Sequence, residues 1–242
     1  MNILVVNDDG INAIGIKILA TALLKYGNVY VCAPDRGRSA ASHSVILHKP
    51  MLAEKDYEIA GAECYKIDGM PADCVRLATS ILNVKFDIVF SGINNGLNLG
   101  TDIIYSGTVA AAREALIEGI PGVAISTDLD SFDIVNNEID SLLELIFKNK
   151  LYSNDYVLNI NFPVKGFIES KGLSLAKQGI KIFNTKFDLA SDNMYNVSSE
   201  EEIHDTNPLT DVYLADQGYI TLVPLKIDQT NYEVLQDLSN KL

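Results

Sequence analysis

The sequence predicts an α/β fold: a doubly wound, mainly parallel sheet with a strand-containing extension at its C-terminal end. Short apolar runs such as 3–6 and 29–33 alternate with helical patterns through the first two thirds of the chain, and each run is continuous. Continuous apolar strands separated by helices are typical of a parallel sheet covered on both faces. A chain of 242 residues accommodates one such domain. We expect a core over about residues 1–165 and an extension over about 166–242.

The elements follow from periodicity and from Val and Ile content. Strands are predicted at 3–6, 29–33, 86–90, 122–126 and 157–160, and helices at 12–26, 73–82, 108–118 and 139–147. Residues 53–67 indicate an extended segment. Beyond about Gly166 the helical period fades, and the pattern predicts a strand near 219–225 and a short helix at 230–238. The acidic stretch 198–207 predicts a solvated loop.

Composition excludes several classes of protein. The net charge of −13 comes from 19 Lys+Arg and 32 Asp+Glu, and a surface of this sign repels a polyanion, so we expect no large nucleic-acid surface. No apolar run approaches the roughly 20 residues of a membrane span, so we expect no membrane partner. Three cysteines without a CxxC spacing, and a start that enters a strand directly, indicate a cytoplasmic protein.

Three polar loops follow the first three predicted strands, at 7–10, 34–44 and 91–100. In an open α/β sheet, ligands bind in the crevice beyond the carboxyl ends of the strands. We therefore expect the three loops to lie on one rim and to form the functional site. The chain has no Walker lysine motif and no GxGxxG, which excludes a P-loop NTPase and a dinucleotide-binding fold.

Asp8 and Asp9 are adjacent carboxylates directly after an apolar strand. Two like charges held close are costly unless a cation or protons neutralise them. With the hydroxyl of Ser39 and the amide carbonyl of Asn94 they offer hard oxygen ligands, which suit Mg²⁺, Mn²⁺ or Ca²⁺. The alternative is that one of the two acids only caps the following helix, since Asp is a favoured N-cap.

Ser106, Gly107 and Thr108 lead into a helix of small and apolar residues. Free backbone N–H groups and the helix dipole favour an anion there, which makes this turn a natural phosphate cradle. Helix capping alone is the alternative, because Ser and Thr cap many helices. His43, in the second loop, is a candidate general acid for a leaving alkoxide, with packing within the loop as the alternative.

Two arginines, Arg36 and Arg38, lie in the second loop. Either could neutralise a phosphate, but arginines beside an exposed turn are usually solvated, and we expect these two to be so.

Six short motifs stand in order along roughly the first 126 residues. They are Asn7-Asp8-Asp9-Gly10, Ala33-Pro34-Asp35-Arg36 with Ser39, Gly-Met-Pro-Ala-Asp-Cys-Val at 69–75, Ser-Gly-Ile-Asn at 91–94, Gly-Leu-Asn-Leu-Gly at 96–100 and Tyr-Ser-Gly-Thr-Val-Ala at 105–110. In this order and spacing they resemble the stationary-phase survival protein SurE family of 5′/3′-nucleotidases. A shorter match follows at 158–163, and Asn95 departs from the pattern of many members.

The resemblance implies a Rossmann-like, SurE-type sheet and a phosphomonoesterase that releases phosphate from nucleoside 5′-monophosphates, with 3′-monophosphates as a second substrate class. It implies one divalent metal ion, Mg²⁺ or Mn²⁺, held by Asp8, Asp9, Ser39 and Asn94. It also implies a phosphate held by Asn98, Ser106, Gly107 and Thr108. Proteins of this family form homodimers or homotetramers through an exchanged C-terminal segment, which we expect here.

Other mechanisms and functions stay open from sequence. Direct attack by Asp8 is an alternative to attack by water, but phosphatases of the haloacid dehalogenase type carry an acid two residues later, where this chain has Gly10. A phosphoacceptor signalling module that binds Mg²⁺ needs an Asp at the end of the third strand, where Ser91 and Asn94 stand. A nucleotide-binding protein without turnover is the third interpretation.

Overall fold

The strands of the protein form a nine-stranded sheet and a separate two-stranded hairpin. The structure is a computed structural model that describes residues 1–56, 59 and 61–242. The strands are β1 Asn2–Val6, β2 Asn28–Pro34, β3 Ala53–Asp56, β4 Glu63–Ile67, β5 Ile88–Asn95, β6 Gly122–Thr127, β7 Val157–Asn161, β8 Leu173–Leu175, β9 Lys181–Ser191, β10 Met194–His204 and β11 Ile220–Leu225. The helices are α1 Ile14–Leu23, α2 Pro71–Ile81, α3 Gly107–Ile117, α4 Phe132–Asn149, α5 Asp211–Asp216 and α6 Tyr232–Ser239, with a 3₁₀ helix at Gly100–Ile104.

The large sheet has the order β3-β4-β2-β1-β5-β6-β7-β11-β8. Strands β4, β2, β1, β5, β6 and β7 run parallel. Strand β3 is antiparallel to β4, and β11 is antiparallel to β7 but parallel to β8. The predicted α/β class with a mainly parallel sheet is therefore confirmed.

The alternation of side chains along β1 explains why its apolar run is continuous. Ile3 and Val5 pack in the cluster that contains α1 and α4, while Leu4 and Val6 pack in the cluster that contains α2 and α3. Successive strand residues point to opposite faces, so a strand covered on both faces needs an apolar residue at every position. This is the doubly wound arrangement that the sequence predicts.

Some element bounds differ from the prediction. Strand β5 continues past Phe90 to Asn95, so Asn94 lies in the strand and not in the loop after it. Helix α4 begins at Phe132, seven residues before its clear apolar period starts. In the described parts of the chain, no helix combines the length and apolar character that crossing a bilayer requires.

The prediction of a loop at 198–207 is wrong as far as His204, because residues up to His204 belong to β10, which pairs antiparallel with β9; residues 205–207 lie outside the strand. Every residue of β10 and all but the first of β9 are exposed. A ribbon with two open faces can carry the charged composition of a loop, and cross-strand pairs such as Lys186–Glu200 at 2.9 Å link its charges. Because neither face of this hairpin is buried, its sequence lacks the apolar pattern of a buried strand, and β10 could not be recognised as a strand.

Candidate active site

The acid pair lies at the carboxyl end of β1, in a turn that Asn7 fixes. The Asn7 side chain donates to the carbonyl of Gly10 at 2.9 Å and accepts the Gly10 N–H at 3.2 Å. Asp8 is only 5% exposed. Helix α1 begins at Ile14 with Ala13 as its N-cap, so the alternative in which one of the acids caps this helix is wrong.

The start of α3 lies against Asp8. The Thr108 hydroxyl donates to Asp8 Oδ1 at 2.6 Å. A Cβ at Gly107 would stand 2.9 Å from Asp8 Cβ and 3.0 Å from Oδ2, so this approach needs glycine. Two segments 100 residues apart in sequence therefore meet, and the N-terminus of a helix faces a buried carboxylate.

The ends of β2 and β5 complete the rim. The Asn95 N–H donates to Asp9 Oδ2 at 3.0 Å, and the Arg38 N–H donates to the Asp8 carbonyl at 2.7 Å. Asn94 donates its side-chain amide to the Gly96 carbonyl at 2.6 Å, which leaves its Oδ1 without a donor in the described residues. Ser39, next to Arg38, is exposed, and its hydroxyl has no hydrogen bond within the same part of the chain.

Burial dominates the electrostatics of the acid pair. It raises the pKa of Asp8 to about 6, with a smaller rise from the charge of Asp9, against the lowering effect of the Thr108 hydrogen bond. Burial also raises the pKa of Asp9. No Lys, Arg or His nitrogen of the described chain lies within salt-bridge distance of either carboxylate. Holding a buried and a half-buried carboxylate side by side without a cation is costly.

The available atoms fit a hard divalent cation. No group of three or more His, Cys, Asp or Glu side chains with metal-binding geometry occurs among the described residues. A cation at this place would therefore take two carboxylates and draw its remaining ligands from hydroxyl, amide or water oxygens, as Mg²⁺ does with its few carboxylates. The oxygens of Ser39 and Asn94 are of that kind.

The turn before α3 both caps the helix and offers donors. Ser106 is the N-cap, and its hydroxyl accepts the Val109 N–H at 3.0 Å. With Thr108 bonded to Asp8, both hydroxyl oxygens have internal partners. The backbone N–H groups of Gly107 and Thr108 have no acceptor in the residues described, and such groups at a helix start favour an anion.

Asn98 lies in a buried polar network that sequence reasoning missed. Its side-chain amide donates to Ser126 Oγ at 2.8 Å, and its backbone N–H donates to Asn161 Oδ1 at 2.8 Å. Its carbonyl accepts from Asn159 at 3.0 Å and from Asn161 at 3.2 Å. The polar side chains of Asn159 and Asn161 in the apolar strand β7 were the available signal.

His43 contacts helix α3 through Glu114. Its Nε2 is 2.7 Å from Oε2 of the buried Glu114, which also lies 3.6 Å from Arg76 Nε. Glu114 is seven residues into α3 from Gly107, about 10 Å along the helix axis. Asp73, fully buried, accepts the Ile46 N–H and so holds the same loop. Sequence reasoning missed Glu114, and it included Asp73 in the motif at 69–75 without assigning it a contact.

The two arginines of the second loop differ. Arg36 is exposed as expected. Arg38 is not solvated: its guanidinium contacts Asp35 at 3.0 Å and Asp68 at 2.9 Å, and its side chain is 15% exposed. These carboxylates neutralise the Arg38 charge, so Arg38 stiffens the loop that carries Ser39.

The fold and the site define a class: α/β proteins with two adjacent acids, one buried and one half-buried, and a helix N-terminus at the carboxyl edge of a parallel sheet. Comparison with known proteins identifies the family. The family model for Survival protein SurE matches residues 3–185, and the chain belongs to this family. The match runs well beyond residue 126, where the sequence resemblance was expected to weaken.

Similar proteins cover almost the whole chain. A protein of Clostridium botulinum (strain 657 / Type Ba4) named 5′-nucleotidase SurE is 42% identical over 248 residues, which cover 98% of this chain and 97% of that protein. A protein of the same name from Clostridium beijerinckii is 38% identical and covers 99% and 98%. The crystal structure of the SurE protein from Aquifex aeolicus superimposes with a TM-score of 0.83 at 33% identity, covering 100% of this chain and 99% of that one.

Proposed function

We propose that this chain is a 5′-nucleotidase that hydrolyses nucleoside 5′-monophosphates to nucleoside and phosphate. The observation that carries the proposal is the contact between the buried Asp8 carboxylate and the first residues of α3, Gly107 and Thr108. An acidic pair that needs a cation, next to free N–H groups that favour an anion, suits a phosphate ester bound through both. The name of the clostridial relatives supports the same activity.

The proposed cofactor is one divalent metal ion, Mg²⁺ or Mn²⁺, with Asp8, Asp9, Ser39 and Asn94 as its protein ligands. When bound, such an ion supplies positive charge to the phosphoryl group and makes water more acidic. The two adjacent carboxylates, buried at Asp8 and half-buried at Asp9, have no cationic side chain of the described residues beside them, and this and the unpaired Oδ1 of Asn94 support this choice.

The residues of the chain orient the reactants. The N–H groups of Gly107 and Thr108 would hold phosphate oxygens, with the Ser106 hydroxyl proton and Asn98 beside them. The Thr108 hydroxyl fixes the rotamer of Asp8. We propose that water attacks, because Gly10 stands where an acid would assist attack by Asp8. Trapping a phosphoenzyme at Asp8 would contradict this step.

His43 is proposed as the general acid that protonates the leaving alkoxide. Its hydrogen bond to Glu114 fixes the imidazole ring. We expect His43→Asn to slow hydrolysis of adenosine 5′-monophosphate far more than hydrolysis of p-nitrophenyl phosphate, whose leaving group needs no proton. Equal losses on the two substrates would exclude this role.

Three finer features complete the proposal. We propose hydrolysis of 3′-monophosphates as a second activity and a cytoplasmic location, which suits cysteines held as thiols. We also propose a homodimer or homotetramer assembled through the C-terminal segment. The hairpin, in which every residue but the first of β9 is exposed, and α6, which has no buried residue in this chain, support that assembly.

The test is phosphate release from 5′- and 3′-nucleoside monophosphates with Mg²⁺, with Mn²⁺ and with a chelator. We expect many turnovers per protein molecule and their loss with chelator or with Asp8→Asn. Asp133→Asn is the matched control, because Asp133 is an exposed acid of α4. Turnover that survives both the chelator and Asp8→Asn would contradict the proposed metal dependence. Binding of nucleotide without turnover would indicate a nucleotide-binding protein and not an enzyme.

A further inference from the structure

A cavity of about 560 Å³ lies between the 3₁₀ helix and the base of the β9–β10 hairpin. The 3₁₀ side of the cavity includes Asp102 and Tyr105, and the hairpin side includes Lys181 and Phe183. Neither wall belongs to the acid site described above. One lining residue is nevertheless adjacent to that site in the sequence, because Tyr105 immediately precedes Ser106, the N-cap of α3.

The two walls are joined to each other. Lys181 Nζ lies 3.1 Å from Asp102 Oδ2, with both side chains mostly buried. The Thr101 hydroxyl donates to the Lys181 carbonyl. On the phosphate side, the Tyr105 carbonyl accepts the Ser42 N–H at 2.9 Å, which ties Tyr105 to the loop that carries Ser39. The cavity thus has a defined position relative to the phosphate turn.

Two aromatic side chains in these walls are open to solvent. Tyr105 is 61% exposed and Phe183 is 40% exposed. Packing within the chain does not account for a Tyr105 side chain that is this exposed. Aromatic rings presented to a cavity offer stacking surfaces to any nucleobase, because every base has a π face.

We propose that this cavity receives the nucleobase, stacked against Tyr105 and Phe183, and selects nucleoside monophosphates over phosphate esters that lack a base. The inference rests on the proposed function, since the phosphate must sit at the start of α3. From there the ester extends past Tyr105 towards the hairpin. The strength of stacking depends more on the area of the base than on its hydrogen-bonding groups. We therefore expect all bases to be accepted and the larger purines to be preferred.

The test compares adenosine 5′-monophosphate with ribose 5-phosphate, which has the same phosphate and sugar but no base. The measured quantity is the ratio of the two kcat/KM values. We expect Tyr105→Ala and Phe183→Ala each to lower this ratio about tenfold, through KM for the nucleotide, and Tyr105→Phe to keep it. Phe187→Ala is the matched control, because Phe187 is an exposed phenylalanine of the same strand outside the cavity.

The outcomes separate the two proposals. If the unaltered protein releases phosphate from neither ester, the proposed function fails and this inference fails with it. If it hydrolyses both and the ratio is the same in all variants, this inference alone is overturned. A change in solution mass for Phe183→Ala with an unchanged ratio would also overturn it, since the cavity would then be a contact between subunits.

Discussion

The strands of the parallel sheet and the strands of the β9–β10 hairpin obey opposite rules of burial. In β6 and β7 every residue is buried, whereas every residue of β10 is exposed. Yet the hairpin also carries large apolar side chains, among them Phe187, Leu189 and Val197, each more than 60% exposed. In one region apolar residues are covered by the chain itself, and in the other they are not.

The difference teaches where the two regions obtain their stability. Side chains of the parallel strands contribute about 1.5–3 kcal/mol each when a Leu, Ile or Val is fully buried. The hairpin gains no comparable burial within one chain, and a contiguous exposed apolar surface marks an interaction site. Burial therefore holds the sheet edge and its acid pair in place, whereas the hairpin exposes the apolar surface on which the proposed assembly depends.

The largest effect should come from the sheet edge. We expect Asp8→Asn to lower kcat/KM for nucleoside 5′-monophosphates about 1000-fold, or ~4 kcal/mol, because a proposed metal ligand is lost. The metal-free variant should nevertheless resist urea at least as well as the unaltered protein, since burial raises the pKa of Asp8 to about 6 and its charge is a cost at neutral pH. A variant that loses activity by unfolding would contradict the distinction.

A second prediction concerns the joint between the two regions. The buried Asp211 accepts the N–H groups of Gly100, at 3.0 Å, and Gly179, at 2.8 Å, and so connects the rim of the sheet to the segment before the hairpin. We expect Asp211→Ala to lower the free energy of unfolding by about 3 kcal/mol, since buried donors lose their acceptor. Urea denaturation measures it, with the exposed Asp237→Ala as control. If Asp211→Ala lowers the free energy of unfolding no more than Asp237→Ala does, Asp211 does not connect the two regions.

The hairpin should respond through assembly and not through folding. Leu189→Asn removes an apolar side chain that is 67% exposed within one chain, so the subunit should fold normally. If a partner covers this side chain, the dissociation constant of the oligomer should rise at least tenfold. Light scattering across a dilution series measures the mass. Asp188→Asn introduces the same residue one position away and should leave the mass unchanged; equal behaviour of the two variants would argue against the hairpin as an interface.

The smallest effect concerns pH. His204, at the end of β10, contacts Glu201 and Asp216 of α5; burial lowers its pKa, but these carboxylates outweigh burial and the pKa is raised. A raised histidine pKa gives stability that is present below the unfolded value near 6.5 and is lost as pH rises through the folded value. We expect His204→Gln to cost up to ~1 kcal/mol at pH 5.5 and nothing at pH 9, by urea denaturation. A cost that does not change with pH would contradict the ion pairs.

Much of the site was predictable because its residues follow strands. Asp8 and Asp9 after β1, and the turn at 106–108 before α3, stand where strand ends and helix starts must lie in an open parallel sheet. The contact between Asp8 and Thr108 confirms that the first loop and this turn share one rim. Glu114 gave no such signal, because an acid inside a helix is usually a solvated residue, and Asp73 stood in the motif at 69–75 without a sign of what it contacts.

By itself, the sequence determined the doubly wound sheet, the acid pair and the family, since continuous apolar strands and ordered loop motifs are local patterns. Only the tertiary structure decided what each polar side chain contacts. In the structure His43 contacts Glu114, and Arg38 contacts both Asp35 and Asp68. The acidic stretch near residue 200 forms part of a strand. The contacts of His43 with Glu114 and of Arg38 with Asp68 join residues that are far apart in the chain, and the hairpin has no buried face. Neither feature produces a periodic pattern of apolar residues in the sequence.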